Sequence, residues 1–153
     1  MKGKVLVIIG SKSDREAIQG CIDYLERFGI PNELVVSSAH RAPERTRLLV
    51  EAARGNGVRI IICGAGMAAH LPGVAASLTT LPVIGVPLAG SHLSGVDSLH
   101  AIVQMPPGVP VATMAIGSAG GKNAAIFAAQ ILALSDDDLA ATLREFKLEL
   151  AAP

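Results

Sequence analysis

Two of this chain's few polar side chains with catalytic potential stand next to each other. His40 and Arg41 close the stretch Val35-Val36-Ser37-Ser38-Ala39-His40-Arg41, and a proline-led helix signal follows at Pro43. An imidazole exchanges protons near neutral pH, and a guanidinium grips a phosphate through paired N–H bonds. Together they suit proton transfer on a small phosphorylated molecule. The same residues also fit a capping histidine and a surface ion pair from Arg41 to Glu44. A second polar turn, Gly10-Ser11-Lys12-Ser13-Asp14, ends an apolar run. Its glycine allows a tight turn, and its hydroxyls and the amides of the next helix can receive an anion. Ordinary capping also explains it, with Ser13 and Glu16 spaced as a capping box. A third stretch, Gly64-Ala65-Gly66-Met67-Ala68-Ala69-His70-Leu71-Pro72-Gly73, sets His70 among small residues where a backbone can approach a ligand. A histidine packed at a helix start is the other reading. His92 and His100 have no comparable setting and read as surface or interface residues.

Absences narrow the chemistry. The glycine spacing of a dinucleotide fingerprint and the Lys-Ser/Thr ending of a P-loop are missing, so neither NAD nor a nucleoside triphosphate is expected. The carboxylates form no evident pair or metal cluster, and Cys63 lacks a nucleophile context. What remains is one imidazole, one arginine, hydroxyls, backbone amides and an apolar, glycine-lined surrounding.

The elements that must hold these turns follow from periodicity. Continuous apolar runs at 4–10, 33–39, 59–66, 82–88 and 109–117 read as strands buried on both faces. Between them lie helices. Ile18, Ile22 and Leu25 mark the buried stripe of the first; Leu48, Leu49 and Ala52 mark the second, behind Pro43. An alanine-rich helix is expected over 67–80, a short one over 94–105 and a strong one over 122–134. A final amphipathic helix over about 136–151, capped by Ser135 and Asp136 to Asp138, lies beyond the repeating unit and could pack on another subunit. Alternation of strand and helix implies an α/β domain, a mostly parallel sheet with helices on both faces. In such sheets ligands bind outside the carboxyl ends of the strands. All three polar turns fall there.

Composition bounds the rest. The chain has 153 residues, half of them apolar, which suits one domain spanning 1–153. Thirteen basic and thirteen acidic side chains cancel, so neither nucleic acid nor an anionic membrane surface is a natural partner. Two cysteines without metal or disulfide spacing suit a reducing, cytoplasmic setting, and the short apolar run near Met1 has no export signature. Between Arg59 and Lys122 the only charged residue is Asp97. A lone domain seldom leaves over a third of its chain so bare of charge. Glycines and prolines break the stretch too often for a membrane span, so a homo-oligomer with apolar interfaces is expected.

Six blocks, GSKSD, SSAHRAPE, GAGMAAHLPG, LPVIGVPL, LSGVDSLHAIVQMPPGVPVATMAIG and NAAIFAAQIL, occur in that order and run through nearly the whole chain. Together they resemble the N5-carboxyaminoimidazole ribonucleotide mutase family, which includes catalytic subunits of class I phosphoribosylaminoimidazole carboxylase. The resemblance implies a flavodoxin-like three-layer fold with strand order 2-1-3-4-5, an octamer, and a step of purine (IMP) synthesis needing no cofactor, ATP or metal. It implies His40 as general acid/base, Ser11 and Asp14 as substrate contacts, and Arg41 as the phosphate contact. Ser13 and Ser38 fit as supporting donors, and Ala65, Gly66 and His70 as the loop around base and carboxylate. Met67 departs from the pattern, standing where many relatives have a second small residue, and the chain ends at Pro153, earlier than some. A sister class that carboxylates aminoimidazole ribonucleotide with carbon dioxide is the alternative activity. A flavin- or phosphate-binding module is the non-enzyme alternative, disfavoured by the absence of Trp and by only four Phe and Tyr residues.

Overall fold

Strand β1 (Lys4–Ile9) carries five consecutive buried residues, and its alternation divides the interior in two. Val5, Val7 and Ile9 point to one face of the sheet, and Leu6 and Ile8 to the other. That is why the run is continuous rather than alternating: a parallel strand covered on both faces has no solvent side. The computed structural model describes residues 3–152; Met1 and Lys2, which open the chain, and Pro153 lie outside the described residues.

The remaining strands are β2 (Asn32–Val36), β3 (Val58–Gly66), β4 (Val83–Leu88) and β5 (Ala112–Thr113). All pair in parallel, in the order β2-β1-β3-β4-β5, the flavodoxin-like arrangement. Helices α1 (Arg15–Arg27), α5 (Ser118–Ala133) and α6 (Asp137–Ala151) cover one face, while α2 (Pro43–Ala53), α3 (Leu71–Ser77) and α4 (Val96–Val103) contribute to the other. Ile18, Ile22 and Leu25 form the buried stripe of α1, as their spacing requires.

Four local expectations are corrected. In α2 the buried residues are Thr46, Val50 and Ala53; Leu48 is 54% exposed, so the helix is rotated by about one position from the expected phase. The alanine-rich helix begins only at Leu71, because Met67 has φ +56° and Pro72 favours the first turn of a helix rather than its interior. Strand β5 keeps two residues in its ladder: Pro110 has no N–H to give, Gly108 and Gly117 take positive φ, and the segment then follows β4 irregularly through Met114 N–H to Gly85 O at 2.9 Å and Gly117 N–H to Pro87 O at 2.8 Å. Helix α5 starts four residues early and runs through Gly120 and Gly121, against propensity. Close packing explains it: Ala124, Ala125, Ala128 and Ala129 are fully buried, a Cβ at Gly121 would sit 3.5 Å from Ala17 O of α1, and a Cβ at Gly120 would fall 1.7 Å from Ala115 O in the segment before the helix.

Asp136 caps α6 by accepting from Leu139 N–H at 2.9 Å. The helix packs on its own chain, where Phe146 meets Tyr24 and Phe28 edge-on at 5.9 and 5.4 Å. Its other side leaves Leu148 72% exposed. No described helix is long and apolar enough to cross a membrane.

Candidate active site

Strand β1 lies between β2 and β3, where the strand order reverses. Connections leaving there diverge to opposite faces of the sheet and open a crevice at the strands' carboxyl ends. The register makes this concrete, since Ile9 pairs with both Val36 and Gly64 while β3 continues two residues further. A cleft of about 540 Å³ opens at this edge, a size that suits a nucleotide-like ligand. It is lined by Ser11, Ser13 and Asp14 after β1, by Ser38, His40 and Arg41 after β2, and by Ala65, Gly66 and His70 at the end of β3. Every residue put forward for the site from sequence therefore lines one cavity.

The first turn is a three-residue 3-10 segment, Lys12–Asp14, capped by Ser11. Ser11 N–H donates to Asp14 Oδ2 at 3.0 Å, and Ser13 Oγ donates to Ser11 Oγ at 2.9 Å. The capping box is thus Ser11 with Asp14 rather than Ser13 with Glu16. Burial raises the Asp14 carboxyl above the ordinary range, opposed by the Ser11 N–H bond and the Arg41 charge. Capping and cavity lining are not alternatives here; the same atoms do both.

The second turn is pinned from below. Ser37 and Thr46 are buried and share a 2.8 Å hydroxyl contact, and Thr46 donates on to Ala42 O at 3.1 Å. That fixes the start of α2 against the end of β2. Arg41 then crosses to the first turn, donating from a terminal nitrogen to Gly10 O at 3.0 Å, while Ser38 Oγ accepts from Arg41 N–H at 3.2 Å. The Arg41–Glu44 ion pair does not form. Glu44 and Glu51 both hold Arg47, at 2.6 and 2.5 Å. Arg41 has no carboxylate in salt-bridge contact among the described residues and can offer its charge to an anion in the cleft.

His70 stands at the helix-start position of α3, yet its side chain makes no capping bond. Its Nδ1 instead lies 2.8 Å from His40 Nε2, with the rings edge-to-face at 88°. The contact needs a donor on one of these nitrogens and a lone pair on the other, and it orients both rings. Glycine at 66 lets two backbones approach closely, since a Cβ there would come 3.3 Å from Leu88 O.

His92 and His100 are exposed and lie outside the lining. Sequence reading missed Gly90, contributed by the loop after β4. The carboxyl end of a strand adjoining β3 could have pointed to it. Met67 also lines the cleft. Both cysteines are buried, and burial raises the Cys21 thiol to about 12 and pushes Cys63 up as well, so neither presents a thiolate. Among the described residues no cluster of three His, Cys, Asp or Glu side chains could hold a metal ion.

The similarity of the chain to known proteins runs end to end. A family model described as AIR carboxylase matches residues 4–152. The N5-carboxyaminoimidazole ribonucleotide mutase of Brucella melitensis is 51% identical over 147 residues, 96% of this chain and 91% of that one. The protein of the same name from Pseudomonas aeruginosa is 52% identical over 96% and 90% of the two chains, and that from Saccharolobus solfataricus 51% over 96% and 92%. Among solved structures, Treponema denticola PurE superposes with a TM-score of 0.89 at 24% identity, covering 98% of this chain and 92% of that one, which speaks to the fold. A parallel sheet in this order, a cleft at its reversal point and identity of about half along the whole length leave one conclusion: the chain belongs to the AIR carboxylase family.

Proposed function

We propose that this chain is an N5-carboxyaminoimidazole ribonucleotide mutase of purine biosynthesis, an isomerase that moves a carboxylate from the exocyclic nitrogen to carbon four of the imidazole. The observation that carries the reading is the convergence of His40, Arg41, Asp14 and the Gly66–His70 turn on one cleft, in a chain about half identical to proteins bearing that name. Arg41 and the turn at Gly10–Ser13 take the phosphate; Asp14 accepts from ribose hydroxyls, with Ser11, Ser13 and Ser38 as further partners. The ring then reaches His40, between that end and the backbone of Ala65 and Gly66.

His40 works both ways across the reaction. As imidazolium it gives a proton to the exocyclic nitrogen while the nitrogen–carboxyl bond breaks and its electron pair stays on nitrogen. Carbon dioxide is released inside the cleft. Ring carbon four, enamine-like, attacks it and forms the new carbon–carbon bond. Neutral His40 then removes the proton from that carbon, and the ring regains aromaticity. The proton and the carbon dioxide both return, so the balance closes without a co-reactant, and cofactor independence is part of the proposal. His70 holds the His40 ring in place.

The protomer exposes 8033 Å², against roughly 7,000 Å² expected for its mass. Leu93, Val96 and Val103 lie exposed on the charge-poor stretch, and Leu134 is 87% exposed beside α6. These surfaces support a homo-oligomer; the proposal takes it to be the octamer that family resemblance implies and places it in the cytoplasm, and a mass measurement in solution tests the count.

Activity is tested by incubating the protein with N5-carboxyaminoimidazole ribonucleotide, without ATP or bicarbonate, and identifying the product. Formation of 4-carboxy-5-aminoimidazole ribonucleotide is expected. Turnover only from aminoimidazole ribonucleotide plus bicarbonate would instead indicate the direct carboxylase.

A further inference from the structure

Met67 is one of two non-glycine residues at positive φ among the described residues, at +56°; the other is Ser94 at +54°. The turn that demands it is short. Strand β3 ends at Gly66 and α3 begins at Leu71, and the chain reverses through two tight bonds, Ala69 N–H to Met67 O at 2.9 Å and His70 N–H to Ala68 O at 2.8 Å. A Cβ in the left-handed region crowds the backbone, which is why glycine is the usual occupant. A short polar side chain such as serine can bond locally in compensation; methionine cannot.

Burial offers no return either, since Met67 is 61% exposed. A strained residue whose side chain the fold does not use is a pointer to function when it lines a site, and this one lines the cleft beside Gly66 and His70. On the mutase reading the heterocycle and the released carbon dioxide would sit against this turn. The cleft is open and carbon dioxide is small and apolar, so something must keep it near ring carbon four while water stays out. An unbranched thioether with three rotatable bonds can swing over a flat aromatic ring and contact it favourably.

We propose that Met67 is the closing wall of the cleft, an apolar flap that covers the imidazole and retains carbon dioxide between release and recapture. This rests on the mutase reading above. The test uses substrate carrying ¹³C in its carboxylate, turned over in unlabelled bicarbonate, with label retention in the product and free aminoimidazole ribonucleotide both measured against an enzyme-free control. Wild type is expected to retain its label. Met67→Gly should raise the leaked fraction by roughly tenfold without lowering the melting temperature, because glycine accepts the backbone angle. Met67→Leu, equally apolar, should restore retention. Wild-type retention in Met67→Gly would overturn the inference while leaving the mutase reading intact. A change in assembly mass with unchanged leakage would make Met67 a subunit contact and also overturn it. A wild type that forms no 4-carboxy product would overturn the mutase reading, and this one with it.

Discussion

The two ends of the parallel sheet each hold a hollow with arginines, and they are chemically opposite. At the amino-terminal end, Arg54 and Arg59 line a space of about 280 Å³ with Asp136 and Ser135. There α2 and α5 finish, at Ala53 and Ala133, and their last carbonyls carry partial negative charge that a guanidinium offsets. Arg54 also donates to Thr80 Oγ1 at 2.9 Å. At the carboxyl end α1 to α5 begin instead, with N–H groups facing the rim, and Arg41 adds positive charge there that Asp14 offsets only in part. One polarity, set by the direction of every strand, surrounds one hollow with helix ends of partial negative charge and the other with helix starts whose N–H groups favour an anion. Arginine alone therefore says little; its place along the sheet decides its use.

The sharpest way to break this contrast is His40→Asn. Loss of the proton shuttle should cut turnover by about 10³-fold, measured as kcat, with the assembly and the melting curve unchanged; near-wild-type turnover would remove His40 from its role. Arg41→Leu comes next. It should raise KM for the phosphorylated substrate by roughly 10- to 100-fold, the loss of a charge-assisted contact, and unchanged affinity would move the phosphate elsewhere.

Asp14→Asn should weaken binding more modestly and act on stability with a definite sign. Burial raises the folded-state pKa of Asp14 above its unfolded value. The charged form thus costs stability above the folded pKa, and the cost fades as pH falls through that pKa toward the unfolded one. The variant should be slightly more stable than wild type at neutral pH, with the gap narrowing in acid; a gap that widened in acid would reverse the assignment. The smallest effect belongs to the opposite end, where Arg59→Ala should change stability by no more than about 0.5 kcal/mol and leave KM unaltered. A rise in KM there would end the contrast.

How much was legible beforehand varies by residue. Ser11, Asp14, His40 and Arg41 could be placed at one rim because strand order and parallel direction suffice to align loop ends. The spacing of Ser13 and Glu16 points to the wrong capping box, since Ser11–Asp14 has the same spacing and only backbone angles distinguish them. Leu48 in α2 is misplaced for a similar reason: two adjacent leucines fit two phases of one helix, and packing into the core beneath this face of the sheet selects Val50. Family resemblance named His40 and His70 for the site, but neither it nor spacing foretold their contact.

The sequence by itself determined the fold class, the chemistry within reach and the near-absence of charge across a third of the chain. Continuous apolar runs, turn residues and residue types are local properties that the chain carries wherever it goes. Only the tertiary structure decided that His40 meets His70 at 2.8 Å, that Arg41 bridges two turns, and that Met67 stands strained at the opening. Those facts depend on how far each strand runs past its neighbour, and that register is a property of the packed sheet that no single segment encodes.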